Sequence, residues 1–381
     1  MQFKQIVGQG AVKQRLIKSV TENRVSHAQL FLGPEGSGSL ALAVAYAQYL
    51  SCLDRQPDDS CGECSSCRKY QKLAHPDLHF SYPFFAKHKD DTAISFIDQW
   101  REAFLASPYM SLDIWRGYLD SENKQANINI AECHQIIKKL SFKPFESEYK
   151  ILILWLPEYL DKEGNSLLKI IEEPQPNTLF LLVAQNQDQI LNTILSRTQL
   201  IKVPALTYEE INTELINNYN QTEKAAAELA YLSNGNFTDA LLMMQQDDKS
   251  YHTLFVQWLR LCFANKGMEI VRFVDQLSKM GRENQKNFLR YGISFVRECC
   301  LLIASAGELV HLPAGELETA QKLSAVMNVA MNQAIINELE KAHYHVERNA
   351  NPKILFLDVS LQIMSFLKLK SSPQGNQYIS N

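Results

Sequence analysis

The 381-residue chain has no long hydrophobic run. Its longest apolar stretches, ILILWL at 151–156 and LFLLVA at 179–184, fall far short of the roughly 20 residues that a membrane-spanning helix needs. The opening MQFKQIVGQG has no apolar core of the kind a secretory leader carries, so the cytoplasm is the expected location, with no membrane involved. In that compartment the eight cysteines are not expected to form a disulfide framework. Positive charge is not in excess either: 38 Lys and Arg stand against 42 Asp and Glu, a net charge of −4. Such a balance excludes a strongly basic nucleic-acid binder and leaves DNA contact to a local patch, or to one shared with partners. No internal repeat is evident.

What is present is an ordinary globular composition, 46% hydrophobic and 21% charged, long enough for two or three domains. Up to about residue 203 short apolar runs alternate with helical patterns. The runs are AQLFL (28–32), KILILW (150–155), TLFLLVA (178–184) and QLIKV (199–203), with helix candidates at 9–23, 39–52, 128–140 and 162–173. Buried, non-alternating strands separated by helices predict a parallel α/β sheet. After residue 205 the strand signal stops. Thr207 and Glu210 form a capping-box pair, and a turn at Asn234-Gly235 interrupts the helical remainder. The expected domains are an α/β unit over 1–205, a small helical one over 206–247 and an all-helical one over 248–370. A polar tail, 371–381, is expected to be disordered. Residues 80–126 read as an irregular insertion with helices of its own.

The stretch GPEGSGSL (33–40) has the outline of a phosphate-binding loop, G-x-x-x-x-G-K-[ST], between a strand and a helix. Gly33, Gly36 and Gly38 would form the cradle, whose backbone N–H groups favour an anion. Ser39 stands where the lysine belongs and Leu40 where a hydroxyl would hold magnesium. The loop reads as a glycine turn closing the first βα unit, or as a cradle that holds nucleotide without turning it over. A carboxylate is also missing at the end of the next strand, where Leu154 and Trp155 stand. Glu158, beyond Pro157, is expected to be a solvated residue at the start of a helix.

Cys52, Cys61, Cys64 and Cys67 follow the pattern C-x8-C-x2-C-x2-C. Four thiolates at such spacings suit one structural, tetrahedral Zn²⁺ with no open position. A cluster of free thiols or a redox site is the plainer reading, and His75 in AHPDLH is an alternative to one cysteine. Cys133, Cys262, Cys299 and Cys300 lie in apolar or helical surroundings and are expected in the core.

An α/β domain entered through HAQLFLGPEGSG, a cysteine module after the first such helix, and the runs SLLKIIEEPQPNT and LFLLVAQNQDQILNTILSRTQ together resemble bacterial clamp-loader subunits of the AAA+ class. The resemblance covers roughly 5–203. Beyond that, NGNFTDAL resembles the family's second sensor with Thr238 in place of its arginine, and Thr198 replaces the cysteine of the Ser-Arg-Cys element. Among such subunits some have degenerate nucleotide motifs, as here. The resemblance implies a subunit of the replicative DNA polymerase III holoenzyme, a nucleotidyltransferase complex. This subunit would have no ATP turnover of its own, would carry Zn²⁺ and would supply Arg197, preceded by Ser196, in trans to a neighbour's ATP site. It implies as partners clamp-loader ATPase and delta-type subunits, with the sliding clamp and primer-template DNA reached through the complex. Two other functions are weighed. A self-sufficient AAA+ ATPase needs a lysine at position 39 and an acid at the end of the 150–155 run. A zinc-dependent DNA-binding protein needs basic surroundings for its cysteines, whereas LDRQPDDSCGECSS is neutral to acidic.

Overall fold

Alternate residues of the apolar runs lie on opposite faces of one sheet. A computed structural model describes residues 1–86, 88, 90–119, 126–244, 251–304, 310, 312, 314–348 and 350–369. Its strands are β1 (Ala28–Leu32), β2 (Leu78–Ser81), β3 (Lys150–Trp155), β4 (Thr178–Ala184) and β5 (Gln199–Lys202). All pairings are parallel, in the order β2-β3-β4-β1-β5. Ile151, Ile153 and Trp155 pack on one side with Phe31, Leu181 and Val183, while Leu152 and Leu154 pack on the other with Leu30, Phe180 and Leu182. Both faces are covered at the centre of the sheet, which is why β1, β3 and β4 read as continuous apolar runs.

The first face is covered by α1 (Gly10–Thr21) and α2 (Ser39–Leu50), by part of α3 (Ser65–Gln71), and by α4 (Ile97–Ala106) and α5 (Leu112–Tyr118). The second carries α6 (Ile130–Leu140), α7 (Leu168–Glu172) and α8 (Asn192–Leu195). Then come α9 (Tyr208–Tyr219), α10 (Glu223–Leu232) and α11 (Phe237–Met244). Thr207 and Glu210 do form a reciprocal capping box on α9, and Asn234 and Gly235 both have positive φ at the turn before α11. The chain divides into two compact units, Met1–Leu241 and Leu242–Asn381.

Two sequence expectations change. The 80–126 segment has helices of its own as expected, α4 and α5, but it begins inside a strand, β2, which pairs with β3 at the sheet edge, and its described residues build an aromatic cluster on the sheet. Trp100 stacks on Tyr82 at 4.0 Å and meets Trp115 edge-on at 5.4 Å and Trp155 at 5.3 Å. The helix expected over 162–173 is instead a run of 3-10 turns, Pro157–Leu167, followed by the short α7. The run kinks at Asp161, whose φ of 46° lies in the left-handed region. Gly164 within it is pressed by Leu191 and Ile194, which a Cβ would meet at 3.1 and 3.2 Å.

The second unit consists, among the described residues, of α12 (Tyr251–Phe263), α13 (Gly267–Ser278), α14 (Arg282–Ile303), α15 (Ala314–Ser324), α16 (Val329–Glu347) and α17 (Pro352–Leu369). Its core centres on Trp258, fully buried among Phe255, Phe288 and Phe356. The Trp258 indole donates to the Ser360 hydroxyl at 2.9 Å. The tail expected to be disordered, 371–381, lies outside the described residues. No helix among the described residues is long and apolar enough to cross a membrane.

Trp258→Ala is expected to cost the helical unit about 3–5 kcal/mol, the usual range for emptying a buried indole site. Urea titration followed by circular dichroism should show its transition at lower denaturant. An unchanged midpoint would contradict this account of the core.

Candidate functional site

The glycine loop leaves β1 with the Gly33 N–H donating to the Ala184 carbonyl at 3.1 Å, and it closes on itself. Gly36 and Gly38 have φ of 73° and 84°, values that favour glycine. A Cβ on Gly33 would lie 2.4 Å from the Val203 carbonyl, and one on Gly36 would lie 1.8 Å from Asn236 Oδ1. The Phe237 N–H donates to the Gly36 carbonyl at 3.2 Å. Inside the loop the Ser37 and Ser39 hydroxyls hydrogen-bond each other at 2.9 Å.

Tyr109, from the insertion, lies across the mouth of this cradle. A Cβ on Gly38 would lie 3.0 Å from its ring. Its hydroxyl accepts from the Val7 N–H at 2.7 Å, its carbonyl accepts from the buried Thr238 hydroxyl, and its ring meets Phe237 edge-on at 4.9 Å. Burial pushes the phenol pKa up, so Tyr109 stays neutral. The remaining cavity, lined by the loop with Tyr109, Met110, Trp155 and Ala184, is about 30 Å³. As it stands that is room for a water or two.

At the end of β3, Leu154 and Trp155 are buried, and no carboxylate stands there. Glu158 is not the solvated residue expected. It is half-buried, and its Oε1 accepts from the Gln185 and Asn186 N–H groups at 2.6 and 2.8 Å. Its other oxygen is buried without a hydrogen-bond partner. Burial raises its pKa despite those two donors. Glu158 therefore ties the end of β3 to the end of β4.

The four predicted cysteines meet. Their sulfurs all lie within 4.8 Å of one another, with Cys52 and Cys61 at 3.6 Å and Cys61 and Cys67 at 3.9 Å. Tetrahedral ligands about 2.3 Å from Zn²⁺ are roughly 3.8 Å apart, so this set fits the ion. Backbone N–H groups of Cys61, Cys64 and Cys67 point at the sulfurs of Cys52, Cys61 and Cys64 at 3.3, 3.4 and 3.4 Å, which favours the thiolate form. Gly62 takes the tight turn with φ of 80°. Burial raises the Cys52 and Cys67 thiols. At Cys64 burial also pushes upward, but hydrogen bonds from the N–H groups of Cys67 and Leu53 and from the Cys67 and Cys61 thiols together outweigh it and bring the thiol to about 7. His75 is outside the group: its Nδ1 accepts from the Asp77 N–H at 3.2 Å and its Nε2 lies 3.1 Å from Glu146. Cys133, Cys262 and Cys299 are buried apart from the module and Cys300 is half-buried.

Arg197 follows α8 and is one-third exposed. Its Nε donates to Glu172 Oε2 at 3.1 Å and its Nη2 lies 3.0 Å from the same oxygen. Its Nη1 donates to the Thr193 carbonyl at 2.9 Å and reaches the Ser196 hydroxyl at 3.4 Å. The Ser196 hydroxyl itself donates to the Thr193 carbonyl at 3.1 Å. Tyr109 and Glu172 were not singled out from the sequence. Tyr109 lies in an aperiodic insertion, and Glu172 is one of two adjacent acids in a short helix end.

A parallel sheet with a glycine loop between β1 and a buried helix, joined to a four-cysteine module, defines the general class of α/β domains built on a phosphate-loop plan. The chain belongs to the family described as DNA polymerase III, delta subunit, whose sequence model matches residues 8–207, just over half of the chain. It is 27% identical over 241 residues to DNA polymerase III subunit delta' of Bacillus subtilis (strain 168), covering 63% of this chain and 60% of that protein. It is 24% identical over 238 residues to subunit delta' of Escherichia coli (strain K12), covering 62% and 59%. With subunit tau of Bacillus subtilis the identity is 23% over 378 residues, 93% of this chain and 60% of that protein. The aligned region thus spans about 60% of the length of these curated relatives.

One zinc per chain is expected after purification without added metal, measured by atomic emission. Cys64→Ser/Cys67→Ser should lose the metal and lower the melting temperature of the first unit, because binding energy at such a site is folding energy. Lowering the pH should release zinc as protons compete for the thiols. Zinc retained by the double variant would refute the ligand set.

Proposed function

We propose that the chain is a non-hydrolysing subunit of a bacterial clamp loader, similar to delta', that assembles with ATPase and delta-type subunits to load the sliding clamp onto primer-template DNA. The observation that carries this reading is a phosphate-loop cradle kept in outline and filled from within. Ser39 and Leu40 replace the two side chains that would act on ATP, Tyr109 lies against Gly38, and about 30 Å³ remains. Trp155 stands where a magnesium-binding or water-activating carboxylate would be needed. On this reading the protein works in the cytoplasm, α9–α11 act as the lid of an AAA+ module and α12–α17 as the collar through which it assembles. The cysteine module carries structural zinc.

The family places ATP between neighbouring subunits, one giving the phosphate loop and the next an arginine. A subunit whose own cradle is closed can still complete its neighbour's site. Arg197 is the side chain suited to that role: its planar fork can meet γ-phosphate oxygens as charge moves in the transition state. It lies at a partly exposed position and is held by Glu172 rather than buried.

Two measurements test the reading. The purified chain should turn over no ATP, and Ser39→Lys/Leu40→Thr should not restore ATP binding while Tyr109 fills the mouth. Nucleotide binding by that double variant, measured by equilibrium dialysis, would show that the cradle is open. In the reconstituted complex, Arg197→Ala should leave folding, zinc content and assembly intact and slow DNA- and clamp-stimulated ATPase. Fingers of this kind are worth on the order of 10³–10⁵ in rate at the site they complete, so the loss should approach the share of that one site among several. Unchanged ATPase and clamp loading in an assembled complex would remove Arg197 from this role.

A further inference from the structure

Phe145 is 82% exposed and Phe142 63% exposed, both on the 141–148 connection between α6 and β3. Single exposed apolar residues are ordinary, but these two share one loop, and the loop is fixed from several sides. The buried Asp77 carboxylate accepts three successive backbone N–H groups, from Phe145 at 2.5 Å, Glu146 at 2.8 Å and Ser147 at 2.9 Å. The buried Lys150 ammonium donates to the Leu140 carbonyl at 2.6 Å and to the Phe142 carbonyl.

Residues flanking the four cysteines brace the far side. Lys69 holds Glu146, the Ser147 hydroxyl donates to Ser51 at 3.1 Å, and Arg55 lies 3.8 Å from Glu148. A loop built to be flexible would not have a buried carboxylate and a buried ammonium committed to its backbone. This one holds two phenyl rings in water on a fixed frame, which removes much of the ordering cost of binding.

The chemistry around the rings indicates what would cover them. Lys138 and Lys143 are exposed and Lys139 is half-buried, whereas the loop's own carboxylates, Glu146 and Glu148, lie within ion-pair distance of Lys69 and Arg55. The surface is thus two apolar knobs with a positive rim. A single-stranded nucleic acid would need a positive groove tracking its backbone with aromatics along it. Here the two rings share one short loop rather than lining a groove, and the chain as a whole is net negative.

We propose that the 141–148 loop is a docking element whose Phe142 and Phe145 enter an apolar cleft, rimmed by carboxylates, on another protein component of the assembly. The proposal rests on the reading of the chain as an assembly subunit. It also gives the cysteine module a second role, because Ser51, Arg55 and Lys69 beside it support the loop that presents the rings.

The test is photo-crosslinking of the reconstituted complete assembly on primed DNA, with benzoylphenylalanine replacing Phe145. An adduct with a protein component, mapped by mass spectrometry to an apolar segment beside Asp or Glu, is the expected result. Phe142→Ala/Phe145→Ala should weaken that component's binding roughly tenfold or more, as loss of a paired aromatic anchor does. Its melting temperature and zinc content should match the unmodified chain, because neither ring packs in the core. An adduct on DNA, no adduct in an assembled complex, or unchanged affinity of the double variant would overturn the docking role. Failure of the unmodified chain to assemble at all would overturn the assembly reading, and this proposal with it.

Discussion

Helix α2 runs from Ser39 to Leu50 with all twelve residues buried, between the sheet on one side and the cysteine module and insertion on the other. A helix with no polar stripe must be delivered into the interior from its first turn, and the chain leaving β1 has only residues 33–38 in which to do it. Backbone and side-chain atoms press on that turn at contact distance: the Val203 carbonyl at Gly33, Asn236 at Gly36 and the Tyr109 ring at Gly38. The glycines are thus retained by packing, whether or not a phosphate ever binds. No such constraint acts on the lysine and magnesium-ligand positions. Ser39 and Leu40 are buried, and a lysine there without a phosphate would be a buried, unpaired charge. The same geometry accounts for both halves of the pattern, the glycines that packing demands and the Ser39 and Leu40 that stand in the lysine and hydroxyl positions.

That division also explains what could be read from the sequence. β1, β3 and β4 were legible because burial on both faces leaves uninterrupted apolar runs, the edge strand β5 only from its short QLIKV run, and the α9 cap because Thr207 and Glu210 bond locally. The four-cysteine set was legible from spacing. β2 was not, since LHFS is four residues with a histidine and a serine and its strand state comes from pairing with β3. Tyr109 and Glu158 were missed or misread for one reason. Each acts on residues far along the chain, Tyr109 on Val7 and Thr238 and Glu158 on Gln185 and Asn186. Neither periodicity nor local spacing reports such contacts.

The cysteine module is joined to the rest of the first unit by polar contacts on three sides. The Asp59 carboxylate accepts from the Phe3 and Lys4 N–H groups, both at 3.0 Å. Gln48 within α2 donates to the Ser60 hydroxyl at 2.9 Å, and Ser51 at its end meets the buried Tyr70 hydroxyl at 2.8 Å. The stretch between Ser51 and Ser65 contains no regular helix or strand, so it has few backbone bonds of its own to hold these partners in register. A metal ion at the four sulfurs would supply that rigidity, and the N-terminal segment, the end of α2 and the 141–148 loop would all inherit it.

Arg197 raises the remaining physical question, since an arginine proposed to serve a neighbour is found paired within its own chain. Its guanidinium makes four contacts within the chain, two of them to one oxygen of Glu172, against five N–H donors. Glu172 is more than half exposed, and exposed pairs of this kind are worth about 0.2–1 kcal/mol. Exchanging that carboxylate for a phosphate therefore costs little, while the pair and the Thr193 carbonyl limit the conformations of a side chain that is otherwise entropically expensive to order. On the reading of Arg197 as an interface arginine, Glu172 serves as a weak holder, strong enough to orient the fork and too weak to keep it. Thr198, in place of the family's cysteine, is compatible with this: its hydroxyl donates to the Leu195 carbonyl at 3.2 Å and supports the backbone of the same turn without touching the guanidinium.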